Sequence, residues 1–170
     1  MSESRVVIMV EGALCVAFSV VLSYLLLFRM PQGGSVTLEL VPLIVFAWRR
    51  GARWGCAAGA LAGVLHMMLG GYVVHPLQAL LDYPLAYAAI GLAGMWKGHK
   101  IPGLILGGVG QFFCHLLAGV VFFASYAPAE TTVWIYSGIY NVSFLAPKVA
   151  ISALVAWFLW KQMERGAVRN

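Results

Sequence analysis

The sequence predicts an all-α integral membrane protein, a bundle of six transmembrane helices with both termini in the cytoplasm. The composition predicts the membrane class, because 62% of the 170 residues are hydrophobic, only 10% are charged and the mean hydropathy is +0.87. A soluble domain is nearer half apolar and a quarter charged. Too few polar side chains remain here to cover a surface that faces water, so lipid is the expected solvent.

Six apolar runs predict the spans, and residues 1–170 form one membrane domain. The runs cover roughly residues 6–28, 36–48, 54–71, 76–96, 101–125 and 134–161. The first is longer than the apolar region of a signal peptide and no A-x-A-like site follows it, which favours a retained span. The second is short of the ~20 residues that a spanning helix needs. It therefore predicts an extended entry segment, covered by a cavity near Gly33–Leu38.

The positions of the basic residues predict the orientation. With the N-terminus inside, nine of the eleven lysines and arginines fall in inner segments, whereas Arg29 is in an outer loop and Lys148 is in the sixth span. The nine are Arg5, Arg49, Arg50, Arg53, Lys97, Lys100, Lys161, Arg165 and Arg169. Such an asymmetry places both termini in the cytoplasm. It also explains the net charge of +5 without a nucleic-acid partner.

Several chemistries are absent from the sequence. Cys15, Cys56 and Cys114 lie singly in apolar runs, which favours packing over a disulfide framework or a zinc site. Residues 107–110 (GGVG) lack the GK[ST] ending of a phosphate loop, so any ATP must be hydrolysed by another subunit. The chain has no HExxH or GxSxG motif. We therefore expect neither an enzyme nor a resident metal or cofactor.

A few polar side chains interrupt the spans, where ionisable groups are costly and commonly mark sites. Asp82, Asn141, His115 and Glu39 fall at similar depths in the outer half of four spans, at ~1.5 Å per residue. They can share a cavity open to the outside, although they can also simply hydrogen-bond the helices together. Gln78 and Asp82 are an i,i+4 pair on one helix face, as are Gln111 and His115. Tyr83 and Tyr136 are further polar groups in the spans.

Two ionisable residues, Glu11 and Lys148, lie deeper in the predicted spans. A mutual ion pair near Pro147, which locally loosens the last helix, is the preferred interpretation. A ligand contact by Lys148 is the alternative. His66 is a further ionisable candidate within the third span.

The cavity residues include acidic and amide groups, and many aromatic side chains lie near the outer ends of the spans. Most of these aromatics are expected as an interfacial belt. Any that turn inward would offer stacking and cation–π contacts beside an acidic group. A flat, cationic, nitrogen-rich heterocycle fits this set better than an anion or a sugar.

Four motifs carry a resemblance to a known family: residues 78–87 (QALLDYPLAY), 31–38 (PQGGSVTL), 115–126 (HLLAGVVFFASY) and 136–141 (YSGIYN). In this order, over nearly the whole chain, they resemble the thiamine-specific substrate-binding subunit, or S-component, of energy-coupling factor (ECF) vitamin transporters. The resemblance implies a prokaryotic multi-pass plasma-membrane protein that captures thiamine. It also implies as partners a transmembrane coupling subunit and two ATPase subunits.

The resemblance also implies site residues. It assigns ligand contacts to Asp82, Tyr83, His115, Tyr136 and Asn141, with Glu39, Gln111 and Phe123 as neighbours. Asp82 would balance the ligand charge, Asn141 and Tyr136 would read a ring edge, and His115 would line the thiazolium. The small residues Ala13 and Ala17 on the first helix would dock on the coupling subunit.

The sequence departs from this pattern at four positions. Tryptophans that stack on thiamine in some relatives match Gly33 and Ala62 here, Gln111 replaces a lysine, and Phe123 replaces a tryptophan. Gly33 and Gly34 suit either a mobile lid or a simple tight turn. Two alternatives to thiamine binding stay open: an S-component for another flat vitamin or pyrimidine precursor, and a stand-alone small-molecule carrier.

Overall fold

The computed structural model describes residues 4–30 and 34–168, so the predictions that concern Gly33 and Arg169 lie outside the described residues. Within these ranges the helical segments group into six rods and one separate 3-10 turn, Ala124–Tyr126. They are α1 (Arg5–Ser23), α2 (Leu40–Arg50), α3 (Ala52–Met68), α4 (residues 76–94), α5 (Lys100–Phe122) and α6 (Val133–Val168). A short antiparallel hairpin, β1 (Phe28–Arg29) and β2 (Ser35–Val36), lies between α1 and α2.

Three of the described helices are long and apolar enough to cross a membrane. They are Arg5–Ser23, Lys100–Phe122 and the Val133–Gly166 part of α6. The last of these continues through Pro147 as one helix, so the local loosening expected at that proline does not interrupt it. The chain is thus an all-helical membrane protein apart from its hairpin.

The shortest rod, α2, forms the centre of the bundle. The other rods form an open ring around it, in which α1 contacts α3, α3 contacts α4, α4 contacts α5 and α5 contacts α6. Seven of the eleven residues of α2 are buried, among them Leu40, Ile44 and Phe46. A helix that is apolar on all sides is stable only when it is surrounded.

The early end of α2 creates space inside the ring. Eleven residues give a helix of only about 16 Å, roughly half of a ~30 Å hydrocarbon core. The chain reaches this helix through the extended residues Ser35 and Val36, which confirms the predicted entry segment. Val36 packs against Phe144 and Leu145 of α6, which seats the hairpin on the bundle. The volume beyond the start of α2 is the cavity described below.

Glycines allow α3 and α4 to pack backbone against backbone. A Cβ atom at Gly63 would lie 2.4 Å from the carbonyl oxygen of Tyr83, and one at Gly59 would lie 2.2 Å from that of Tyr87. Real Cβ atoms do not approach so closely. These close approaches explain why glycine is needed at these positions of α3. They also hold the segment of α4 that carries the polar residues against α3.

Candidate functional site

A cavity of about 390 Å³ lies inside the bundle and is bounded by α1, α3, α4, α5, α6, the hairpin and Glu39, the residue that precedes α2. This volume is in the range of small-molecule sites. The structure brings together every one of the eight ligand residues predicted from the sequence. Those lining residues are Glu39, Asp82, Tyr83, Gln111, His115, Phe123, Tyr136 and Asn141.

The central polar contact joins α4 and α5. Nδ1 of His115 is 2.8 Å from Oδ1 of Asp82, and each side chain keeps 16% of its surface exposed. Because an ionised carboxylate only accepts hydrogen bonds, Nδ1 carries the proton of this contact. The carboxylate oxygens retain lone pairs toward the cavity, so Asp82 can bind a ligand while it holds His115.

A π-helical turn at Leu81–Leu85 presents Asp82 and Tyr83 to the same cavity. Pro84 has no N–H, so the regular i→i−4 ladder fails here, and the N–H of Ala86 reaches back to the carbonyl of Leu81. Such turns commonly mark functional positions within helices. The sequence signal was the proline inside an apolar run, but the turn type itself was not predicted.

Gln78 belongs to the site although it was not among the predicted ligand residues. It is 1% exposed, and its Nε2 donates to Oδ2 of Asp82 at 2.7 Å and to the carbonyl of Tyr72 at 3.1 Å. Its Oε1 accepts from the N–H of Val74 at 3.0 Å. Gln78 therefore fixes the carboxylate and the loop before α4 together. The i,i+4 spacing to Asp82 was the available signal.

The hydroxyl of Tyr83 serves the same loop. It accepts from the N–H of Tyr72 at 2.7 Å, and it lies 3.4 Å from the Tyr72 carbonyl oxygen, to which it donates. The ring of Tyr72 in turn stacks on Phe123 at 6.1 Å between centroids. Tyr83 is thus a wall residue whose hydroxyl is already engaged, and Phe123 forms an aromatic side of the cavity.

The floor of the cavity holds a second charged pair. Nζ of Lys148 and the hydroxyl of Tyr87 both donate to Oε1 of Glu39, at 2.8 and 2.6 Å. The side chains of Lys148 and Glu39 are only 7% and 4% exposed. His66 packs on the Tyr87 ring at 4.9 Å and also lines the cavity.

The predicted Glu11–Lys148 pair is wrong. Glu11 instead pairs with Arg49 at 3.1 Å and with Arg50, because α1 sets it against the C-terminal end of α2. Lys148 meets the opposite end of α2, where Glu39 precedes the helix. The two ends of α2 lie at different depths in the bundle. The sequence did not show that Glu11 lies beside one end and Lys148 beside the other.

Helix α6 contributes an amide of fixed orientation. Nδ2 of Asn141 donates to the carbonyl of Ser137 at 2.9 Å and lies 3.4 Å from the carbonyl of His115. These acceptors identify which end of the amide is nitrogen, so Oδ1 is the end left for a ligand. Tyr136 stacks on Tyr140 at 6.3 Å, and the Tyr140 hydroxyl accepts from the N–H of Gly34 in the hairpin.

Gln111 is the least satisfied polar group of the cavity. It is 1% exposed, and its Oε1 has no hydrogen-bond partner among the described residues. A buried amide oxygen without a donor costs about 1–3 kcal/mol. A ligand that enters the cavity and donates to this oxygen would recover that energy.

Other predicted positions lie outside the cavity. Ala62 is completely buried in the hydrophobic core, so a side chain there could not stack on a ligand without displacing the core. Ala13 and Ala17 lie on the exposed face of α1. In the described ranges, no group of three His, Cys, Asp or Glu residues is placed to hold a metal ion.

The cavity suits a small cationic heterocycle. Among the residues that the structure describes, Lys148 neutralises Glu39, whereas the Asp82 carboxylate meets only a histidine and an amide. Acceptor atoms from α4, α5 and α6 face a volume that is also lined by the rings of Phe123, Tyr136 and Phe144. Such a site offers charge balance, N–H acceptors and aromatic packing.

Comparison with known proteins gives a consistent result. The family model described as thiamine transporter protein (Thia_YuaJ) matches residues 9–167. The thiamine transporter ThiT of Bacillus subtilis (strain 168) is 33% identical, over 97% of this chain and 96% of the relative. The ThiT of a Lacticaseibacillus paracasei strain is 34% identical, over 82% of this chain and 79% of the relative.

Solved structures agree with the fold. ThiT from Listeria monocytogenes superposes with a TM-score of 0.86 at 28% identity, covering 96% of this chain and 98% of that chain. The S component of a bacterial ECF transporter superposes with a TM-score of 0.66 at 18% identity, which supports the fold alone. Family model, relatives and fold together place this chain in the thiamine transporter protein family, a family of bacterial membrane proteins.

Proposed function

We propose that this protein binds thiamine in the cavity and acts as the thiamine-specific S-component of an ECF transporter. The observation that carries the proposal is the convergence of all eight predicted ligand residues on one cavity around Asp82 and His115. Asp82 balances the charge of the thiazolium-bearing ligand, and Oδ1 of Asn141 accepts from its aminopyrimidine edge. The family match and the two ThiT relatives support the ligand.

The membrane arrangement follows from the same proposal. The chain crosses the plasma membrane six times, the short α2 and its extended entry segment making one crossing together, with both termini and most of the basic residues in the cytoplasm. The cavity then opens outward and collects thiamine from outside the cell. Separate coupling and ATPase subunits supply the energy.

Replacing Asp82 tests the ligand assignment. Asp82→Asn keeps the shape and removes the charge, so we expect thiamine affinity to fall about 10- to 100-fold, as for loss of a charged hydrogen bond. Isothermal titration calorimetry of the purified protein measures this change. Glu130→Gln is the matched control, because Glu130 is exposed and does not line the cavity. Equal affinities for Asp82→Asn and the wild type would remove Asp82 from the site.

The alternative ligand class makes a different prediction. If the protein serves another flat vitamin or a pyrimidine precursor, thiamine will fail to compete in a panel of such compounds. Mass spectrometry of ligand carried through purification identifies the compound directly.

Docking separates an S-component from a stand-alone carrier. Ala13 and Ala17 leave a flat, exposed strip on α1 on which another helix can pack closely. We expect Ala13→Trp to abolish thiamine uptake in cells that contain the coupling subunits and to leave thiamine binding unchanged. Uptake by the wild type in cells without those subunits would support the stand-alone carrier instead.

A further inference from the structure

A second depression in the molecule lies between the beginning of α5 and the C-terminal part of α6. This α5–α6 groove has a volume of about 310 Å³ and shares no lining residue with the cavity described above. Its polar and aromatic lining side chains are those of His99, Lys100, Trp157, Trp160, Lys161 and Glu164. The proposed thiamine function does not use this groove.

The groove contains a cation that the protein does not neutralise by direct contact. Nζ of Lys100 lies 4.1 Å from the centre of the Trp160 ring. Within residues 4–30 and 34–168 the Lys100 side chain makes no ion pair or hydrogen bond. A cation–π contact leaves the ammonium group its charge and its N–H donors. Lys100 can therefore still bind an anion that enters the groove.

The acidic side chain of the groove is already engaged. Oε1 of Glu164 accepts from Nε1 of Trp160 at 2.6 Å, and its Oε2 accepts from Nζ of Lys161 at 3.0 Å. Glu164 thus balances Lys161 and holds the indole on which Lys100 lies. With Glu164 and Lys161 balanced, the charge of Lys100 leaves the groove positive.

Neighbouring groups increase this positive potential. Lys97 precedes the groove in the loop before α5, and Arg165 follows Lys161 by four residues on α6, which places both cations on one helix face. The first turn of α5 contains no acidic side chain, and His99 makes no capping hydrogen bond there. A helix N-terminus favours nearby negative charge. The surroundings therefore favour an anionic occupant.

Apolar side chains continue the groove along both helices. Ile101 lines the groove and Ile105 lies one turn farther along α5, and both are exposed. On α6, the exposed Leu154 precedes Trp157 by three residues. Both helices are long and apolar enough to cross a membrane, so these faces meet lipid. The groove joins a cationic end to two apolar strips, which suits a charged amphiphile better than a soluble anion.

The indoles of the groove are held in place from inside the bundle. The buried Trp48 of α2 packs edge-on against Trp157 and Trp160, at 6.4 and 6.2 Å between ring centroids. Tryptophans are enriched at the level of the lipid headgroups. The cationic end of the groove is therefore a preformed surface at the height where a phospholipid carries its phosphate.

We propose that the α5–α6 groove binds an anionic phospholipid, with Lys100 in contact with the headgroup phosphate and the acyl chains along Ile105 and Leu154. Basic pockets between transmembrane helices on the cytoplasmic side are known to suit anionic headgroups. In the orientation proposed above, this lipid belongs to the inner leaflet. The inference does not depend on thiamine binding.

Competition between two lipids tests the site. Equal amounts of phosphatidylglycerol and phosphatidylcholine with the same acyl chains are added to the purified full chain in detergent, and native mass spectrometry counts each bound lipid. We expect the wild type to prefer phosphatidylglycerol. Lys100→Gln should lower this preference about fivefold, as for one basic side chain near an anionic lipid, and Lys100→Arg should retain it.

Lys97→Gln is the matched control, because Lys97 is exposed in the same loop and does not line the groove. It should keep the preference for phosphatidylglycerol. An equal loss in Lys97→Gln and Lys100→Gln would show a general attraction of the basic surface and would overturn the site. An unchanged preference in Lys100→Gln would overturn it as well.

A variant of opposite sign sharpens the test. Glu164→Gln removes a negative charge from the groove, while the amide oxygen can still accept from Trp160. We expect the preference for phosphatidylglycerol to rise about two- to fivefold, and added salt to reduce the gain. A lower preference in Glu164→Gln would contradict a headgroup phosphate in this groove.

Two further measurements separate the remaining possibilities. If inorganic phosphate at the same concentration displaces phosphatidylglycerol, the groove binds a free anion and the lipid assignment is wrong. The variants of Lys100 and Glu164 should bind thiamine like the wild type, because neither residue lines the cavity. Failure of the wild type to bind thiamine would defeat the proposed function and leave the lipid preference to be judged by its own result.

Discussion

Two carboxylates, Glu39 and Asp82, each have a close side-chain partner in the same cavity, and they differ in what they leave available to a ligand. The Glu39–Lys148 pair on the floor is 4% and 7% exposed, and Tyr87 adds a third group to the same oxygen. The Asp82–His115 pair on the wall is 16% exposed on each side, and it borders open volume. The floor pair completes its charge balance within the protein, whereas the wall pair leaves a carboxylate for a ligand.

A helix bundle in lipid can therefore use one buried carboxylate for stability and another for ligand binding. A buried carboxylate must be balanced, because leaving one charge alone costs several kcal/mol. On the floor, Lys148 comes from α6 to the start of α2 and links two helices distant in sequence. On the wall, Gln78 and His115 orient Asp82, and no lysine or arginine among the described residues pairs with it.

The floor pair should govern stability. Lys148→Met leaves Glu39 buried without its cation, so we expect a loss of about 3–5 kcal/mol in the free energy of unfolding. Thermal unfolding of the ligand-free protein in detergent measures it as a lower Tm. The double variant Glu39→Gln/Lys148→Met removes both charges and should recover much of that loss.

Lys97→Met is the matched control for the floor pair, because Lys97 is exposed and outside the cavity. If Lys148→Met unfolds at the control's Tm, the floor pair has no structural role. If the double variant is as unstable as the single one, the loss comes from packing and not from the isolated carboxylate.

Residues of the wall should affect thiamine affinity more than stability, and a Gln111 variant tests this expectation. Gln111→Met keeps the volume and removes the unpartnered Oε1, so the empty protein should be as stable or slightly more stable. Thiamine affinity should fall about 5- to 100-fold, because the amide can no longer pair with a donor on the ligand. Binding is measured by fluorescence and stability by thermal unfolding.

Ser152→Ala is the matched control for Gln111. The Oγ of Ser152 is also buried without a partner among the described residues, but it does not line the cavity. The control should alter stability in the same direction and leave thiamine binding unchanged. Unchanged affinity in Gln111→Met, or an equal loss in Ser152→Ala, would contradict a ligand role for this amide.

The sequence predicted the composition of the site better than its internal connections. Periodicity and depth brought Asp82, His115 and Asn141 to one cavity, because each is an isolated polar group within an apolar run and lipid excludes such groups. The i,i+4 relation between Gln78 and Asp82 became a real hydrogen bond of 2.7 Å. These features depend on local helix geometry, which the sequence encodes directly.

What could not be predicted depends on the relative heights of different helices. The pairing of Lys148 with Glu39 requires knowing where α2 begins, and the short apolar run limited that only to several residues. The π turn at Pro84 shifts the register of α4 by one residue, which no periodicity in an apolar run reveals. Likewise, Ala62 is buried because α3 packs against α1, α2 and α4, and an alanine in an apolar run does not by itself indicate burial.

The smallest expected effect concerns the boundary between the wall and the loop that covers it. Tyr83→Phe removes the hydroxyl that contacts both backbone groups of Tyr72, while the ring remains in place. One neutral hydrogen bond contributes about 0.5–1.5 kcal/mol, so thiamine affinity should fall about two- to tenfold, mainly through faster dissociation. Stopped-flow fluorescence separates the two rates. Because Gln78 still holds the loop through Tyr72 and Val74, the loss stays small. A loss as large as that of Asp82→Asn would mean that the Tyr83 hydroxyl contacts the ligand itself. The ligand-binding wall would then include Tyr83 as well as Asp82 on the π turn.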